Sequence, residues 1–90
     1  MKKRERLEII HDILKAIKEK GSNVKPTHIL YKSNLSHVML KEYLGELIDK
    51  DFIIERNDKK GKKYSLTEKG FKYLEEFSVI QSFVESYGLG

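Results

Sequence analysis

Apolar residues in this chain change their spacing twice. Up to residue 50 they recur every three or four positions, from 52 to 66 they alternate, and from 68 onward the helical spacing returns. One hairpin set among helices is the frame this imposes, because periods of 3.6 and 2 cannot be met by the same secondary structure. A lone two-stranded hairpin is marginal in water and must lie against a helical body. Ninety residues allow one domain with a modest core. The expected class is α+β, mostly helical.

Leu7, Ile10, Ile13, Leu14 and Ile17 form one apolar stripe on a helix over Arg4–Lys20, widened by Ile9 and closed by Gly21. Ser22-Asn23-Val24-Lys25-Pro26 breaks it, and Thr27 is the expected N-cap of a short second helix carrying Ile29, Leu30 and Tyr31. Asn34-Leu35-Ser36 interrupts again. Ser36 suits the N-cap of a third helix ending near Lys50, and Leu35 before it can pack on Leu40 as a hydrophobic staple. Two short strands are expected at 52–56 and 63–66, joined by the polar tip Asn57-Asp58-Lys59-Lys60-Gly61-Lys62. Thr67 then caps a last helix from Glu68 to about Tyr87. Three helices, a basic hairpin and a helix, in that order, make the winged helix-turn-helix arrangement.

Charge narrows the class of partner. Lys and Arg number 18 against 14 acids, for a net charge of +4, and the surplus is uneven. Residues 1–69 hold 17 basic and 11 acidic side chains, whereas residues 70–90 hold one basic and three acidic. A basic body suits an anionic partner and an acidic, apolar end suits a protein partner; a highly charged, solvated surface is the plain alternative. With no cysteine there is no disulfide, thiolate metal site or cysteine nucleophile. His11, His28 and His37 lack the spacing of a zinc site, so no metal is expected. No Gly-rich phosphate loop or nucleophile elbow is present, which argues against an enzyme, a cofactor or a small-molecule substrate. The basic start Met1-Lys2-Lys3-Arg4 is followed by charged residues rather than a signal-peptide core, and no apolar run is long enough to span a membrane. The expected location is the cytoplasm.

In a helix-turn-helix, the second helix of the pair lies in the major groove of double-stranded DNA. Here the pair is Thr27–Ser33 and His37–Lys50. On a helical wheel, Tyr43, Leu44 and Leu47 fall within about 60° of Leu40 and mark the core face. The opposite face collects Val38, Glu42, Gly45 and Asp49, with Lys41 at its flank and Ser36 and His37 at the helix start. First-turn residues reach base edges in this motif, and small Val38 and Gly45 permit close approach. Glu42 and Asp49 oppose phosphates, although a carboxylate can accept from a cytosine amino group. Lys25, Thr27, His28 and Lys32 flank the second helix, where backbone-positioning contacts fall. In the hairpin, Arg56, Lys59, Lys60, Lys62 and Lys63 set five cations in eight residues against one acid, Asp58. Phosphate contact releases counterions and accounts for such a bias of sign.

The last helix carries more apolar surface than one packed face needs. Around Phe77, the residues Tyr73, Leu74, Ile80, Phe83, Val84 and Tyr87 spread over half a turn or more, against the roughly 100° of a single buried stripe. Phe77, Ile80, Phe83, Val84 and Tyr87 are therefore expected at a homodimer interface; folding back across the body is the alternative. Residues 1–67 read as a DNA-binding unit and residues 68–90 as its dimerisation helix, within one domain.

The chain resembles the small archaeal winged helix-turn-helix regulators, including the ten-kilodalton DNA-binding proteins of Sulfolobus. The likeness is carried by Leu7-Glu8-Ile9-Ile10 with Ile13-Leu14, by Thr27-His28-Ile29-Leu30-Tyr31, and by Asn34-Leu35-Ser36. It continues through Tyr43-Leu44, Ile53-Ile54 and Tyr64-Ser65-Leu66-Thr67-Glu68-Lys69-Gly70, covering about residues 5–75. The resemblance implies DNA binding and dimerisation through the C-terminal helix. Asp51 stands where the family often has Gly before the first wing strand, and Asp tolerates the left-handed conformation required there. His37 and His28 replace residues often aromatic and Arg, which bears on base preference. The long coiled-coil tail of the Sulfolobus proteins has no counterpart, so the likeness is nearer to regulators than to chromatin proteins. The expected function is a homodimeric DNA-binding transcriptional regulator; a winged-helix protein-docking module and a non-specific architectural DNA-binding protein are the alternatives.

Overall fold

The computed structural model describes residues 6–88, so Lys2, Lys3, Arg4, Leu89 and Gly90 lie outside the described residues. Helix α1 (Arg6–Lys20) buries Ile9, Ile10, Ile13, Leu14, Ala16 and Ile17. Leu7, expected on that stripe, is exposed; its carbonyl accepts a hydrogen bond from the Tyr73 hydroxyl at 3.2 Å. Gly21 ends α1 at φ +105°, its N–H shared between the Ile17 and Lys18 carbonyls.

Helix α2 (Pro26–Ser33) begins two residues earlier than a cap at Thr27 predicts. Its N-cap is Lys25 rather than Thr27, because Pro26 takes the first helical position, where its fixed φ fits and its missing N–H has no intrahelical partner to lose. Asn34 closes α2 in the left-handed conformation, φ +54°, donating to the Leu30 carbonyl at 3.0 Å. Ser36 then caps α3 (His37–Asp49), accepting from the Met39 N–H at 3.2 Å. Leu35 is partly buried against the same core that Leu40 enters. The end of α3 is a Schellman motif. Phe52 donates to the Leu47 carbonyl, Asp51 donates to that of Ile48, and Asp51 takes φ +64°.

The wing is longer and its tip tighter than the alternation of apolar residues suggests. Strands β1 (Ile53–Asp58) and β2 (Gly61–Leu66) pair antiparallel, with Ile53 opposite Leu66 and Asp58 opposite Gly61. Only Lys59 and Lys60 lie between them. Neither has positive φ, which excludes the primed hairpin turns; Asp58 starts the turn by accepting the Lys60 N–H at 2.7 Å, and Gly61 follows at φ +111°. A third extended piece joins the sheet from the α1–α2 connection. Val24 and Tyr64 exchange both backbone hydrogen bonds, each 2.8 Å.

Helix α4 (Glu68–Ser86) starts at Thr67, whose hydroxyl accepts from the Gly70 N–H at 3.1 Å. Gly70 crosses Phe52 so closely that a Cβ would collide with the Phe52 carbonyl oxygen. The core gathers Ile13, Leu14 and Ile17 of α1, Ile29 of α2, Leu40, Leu44 and Leu47 of α3, Ile53 and Tyr64 of the wing, and Leu74 of α4. Leu74 is the last buried side chain along α4, so the second half of that helix extends past the core, and the molecule's longest dimension is 49 Å.

Candidate nucleic-acid interface

Three elements set the geometry of the exposed basic surface. The Ser36 cap and the Schellman end fix α3, and its face away from the core leaves His37, Val38, Lys41, Glu42, Gly45 and Asp49 exposed or half-buried. Val38 is 69% exposed although apolar. Gly45 sits in the helix interior with open space around the position a Cβ would take, so no neighbour among the described residues requires it. A mid-helix Gly costs about 1 kcal/mol relative to Ala. That makes the bare spot on α3 a feature its own packing does not explain.

The wing rises beside α3. Alternation along the strands puts Glu55, Asn57, Lys62 and Tyr64 on the face toward α3, and Arg56, Asp58 and Lys63 on the other. Between α3 and the wing lies a cleft of about 460 Å³, walled by Pro26, Leu40, Lys41, Gly45, Lys62 and Tyr64. Glu55 stands on that wall, accepting from the Tyr64 hydroxyl at 3.3 Å and pairing with Lys62 at 3.8 Å. Burial, reinforced by the Glu55 charge and hydrogen bond, pushes the Tyr64 phenol up to about 12.

On the far side of α2, a second hollow of about 480 Å³ is lined by Lys20, Lys25, Thr27, His28, Tyr31 and Lys63. Lys63 donates to Asp58 at 3.0 Å, and only 13% of its side chain is exposed. The Lys63 hydrogen bond, then the Lys60 N–H, with the charges of Lys63 and Lys25 beyond them, hold the Asp58 carboxyl below its ordinary value. Of the five wing cations, Arg56, Lys59 and Lys60 carry no side-chain partner among the described residues, whereas Lys62 and Lys63 face acids of the wing itself.

Of the cations sought by sequence reasoning outside the wing, Lys25, Lys32, His37 and Lys41 are exposed and His28 is half-buried. The wing cations are divided between the face toward α3 (Lys62), the opposite face (Arg56 and Lys63) and the tip (Lys59 and Lys60). Sequence reasoning missed the residues that hold this surface together. Val24 ties the wing to the α1–α2 connection; its only signal was a lone β-branched residue among polar ones just ahead of Lys25-Pro26. Asn23, at φ +54°, adds a hydrogen bond from its N–H to Ser65 Oγ at 2.9 Å. Arg6 pairs with Glu46 and lies over the Tyr43 ring, anchoring α1 to α3.

At the other end of the molecule, Phe77 is half-buried and stacks on His11 with ring centroids 4.2 Å apart, so this residue of the expected dimer set has a partner within its own chain. Val84 is half-buried as well. Ile80, Phe83 and Tyr87 remain exposed and Val79 joins them, a residue the wheel did not single out. Among the described residues no group of His, Asp and Glu could hold a metal ion, and no helix is long and apolar enough to cross a membrane.

A family model described as winged helix-turn-helix matches residues 3–85. The chain belongs to the winged helix-turn-helix family. No curated protein matches its sequence. Among solved structures it is similar to Sso10a-2, a DNA-binding protein from Sulfolobus solfataricus, at 26% identity, covering 94% of this chain and 90% of that one with a TM-score of 0.77. It is similar also to F93 from STIV, a winged-helix DNA-binding protein, at 30% identity over 87% and 90% of the two chains, with a TM-score of 0.71. MepR, a transcription regulator of a Staphylococcus aureus multidrug efflux pump, shares the fold at 21% identity and a TM-score of 0.76; the match covers 89% of this chain and 60% of MepR. This winged helix-turn-helix is mostly helical α+β.

Proposed function

We propose that this winged helix-turn-helix is a DNA-binding transcriptional regulator of the cytoplasm, acting as a homodimer, with α3 in the major groove and the wing on the phosphate backbone. The observation that carries the reading is the outer face of α3. It combines an exposed Val38, a glycine with open space beside it, and the cations of Lys41 and the neighbouring wing tip, which have no side-chain partner among the described residues. A groove-bound helix needs small residues where it touches the duplex and cations where it meets phosphate. Sso10a-2 and F93, both described as DNA-binding proteins, support the partner class, and MepR supports a regulatory role.

The second half of α4 supports assembly. Ile80, Phe83 and Tyr87 are each more than 60% exposed, and a second copy would cover them. A two-fold dimer would also offer two α3 helices to one duplex. Fluorescence anisotropy with a labelled mixed-sequence duplex, read across a salt series, tests the reading. Binding that weakens steeply with salt supports it. No binding even at low salt would leave the protein-docking alternative.

A further inference from the structure

The centre of the exposed α3 face is occupied by a carboxylate. Glu42 lies one turn beyond Val38 and three residues before Gly45, about 40° and 60° from them on the wheel. Both neighbours on this stripe are short, Val38 and Gly45, so neither covers the exposed Glu42. Three acids near this surface are neutralised within the chain. Glu46 is paired with Arg6 and Lys50, Glu55 with Lys62 and the Tyr64 hydroxyl, and Asp58 with Lys63. Glu42 has no hydrogen bond, ion pair or ring contact among the described residues. Asp49 shares the face but sits about 10.5 Å further along, at the end remote from the Ser36 cap.

An uncompensated negative charge at that place weakens contact with any polyanion. On a helix meant only to hold phosphates it is a defect. On a helix that reads bases it discriminates, because the repulsion acts on every sequence while a hydrogen bond forms on few. An ionised carboxylate only accepts. In the major groove guanine offers N7 and O6 and thymine offers O4, all acceptors, whereas cytosine presents the N4 amino group. Adenine has an amino group too, but its N7 acceptor lies beside it.

We infer that Glu42 is the base-discriminating residue of α3, accepting a hydrogen bond from the N4 amino group of a cytosine and disfavouring guanine and thymine at that position. The inference rests on the DNA-binding reading above.

The test is enrichment of randomised duplexes by the wild type, E42Q and E42A. Anisotropy then follows on the wild-type-selected duplex and on versions with the cytosine replaced by each other base. The wild type should prefer cytosine at one position by roughly 5- to 150-fold, the range of a good base contact. Both variants should lose that preference alone, keep the rest of the site, and bind non-cognate duplex more tightly than the wild type. Variants that keep every base preference and gain affinity uniformly would overturn the inference. So would a wild type that binds duplexes without any preference. A wild type that binds no duplex at low salt would instead overturn the DNA-binding reading itself, and this inference with it.

Discussion

Lys63 Nζ and the Asp58 carboxylate meet at 3.0 Å across the wing, next to the two-residue tip of Lys59 and Lys60. The pair separates cations that serve the hairpin from cations free to serve a ligand. Replacing Lys59 and Lys60 together by Ala should lower the slope of log affinity against log salt by about 0.9 for each phosphate that is no longer neutralised. Lys63→Ala should leave that slope nearly unchanged and raise the Asp58 carboxyl toward its ordinary value. Salt-dependent anisotropy and an NMR pH titration read the two effects. An equal fall in slope from Lys63→Ala would mean that the pair opens on DNA.

The two glycines in the helical segments should respond to Ala in opposite directions. At Gly70 the added methyl meets the Phe52 carbonyl, so α4 must shift and the chain should lose about 1–3 kcal/mol of stability. At Gly45 the methyl meets open space, so the free protein should gain about 0.5–1 kcal/mol. DNA affinity of Gly45→Ala should fall, because the methyl stands where α3 approaches the groove. Urea denaturation and anisotropy on the same samples check both halves; a Gly45→Ala protein that binds as well as the wild type would remove close approach from the reading.

Assembly is read by sedimentation. At micromolar concentration the wild type should run at twice the mass of one chain. Phe83→Asp, at a position 62% exposed, should shift it toward the single-chain mass and weaken DNA binding beyond what one added negative charge accounts for. Substituting Phe77 should instead cost stability of the single chain, since its ring stacks on His11. A wild type that sediments as one chain would sink the dimer.

Tyr64 predicts the alkaline limit of the fold. Its folded-state value of about 12 lies above the ordinary 10.0, so the stability contributed by the neutral phenol is fully present below pH 10 and is lost as pH rises from 10 through 12. Circular dichroism should show unfolding accelerate over that window. In Tyr64→Phe, which keeps the ring and removes the ionisable group, that part of the alkaline loss should disappear. An unaltered profile would assign the loss to other groups.

Local rules made most of the fold legible in the chain. The 3.6-residue stripes, the caps at Ser36 and Thr67, and the change to period 2 after residue 51 are set by neighbours within a few positions; the two caps are found where expected, while Leu7 leaves its stripe and the strands run further toward the tip. Asp51 in the left-handed conformation is of the same kind. The misplaced start of α2 is also local: a capping preference for Thr27 lost to the fixed φ of Pro26. What only the tertiary structure decided are relationships across the chain. Val24 reaches Tyr64 about forty residues away, Arg6 reaches Glu46, and Lys63 turns to Asp58 instead of outward. Sequence alone presents the five wing cations as one run. Pairing at Ile53–Leu66 places them on two faces and a tip, because successive side chains of a strand point in opposite directions. The apolar excess of α4 was likewise visible in one dimension. Which part of it is covered, Leu74 and half of Phe77, and which stands clear, Ile80, Phe83 and Tyr87, follows from where a straight helix passes the end of a small core.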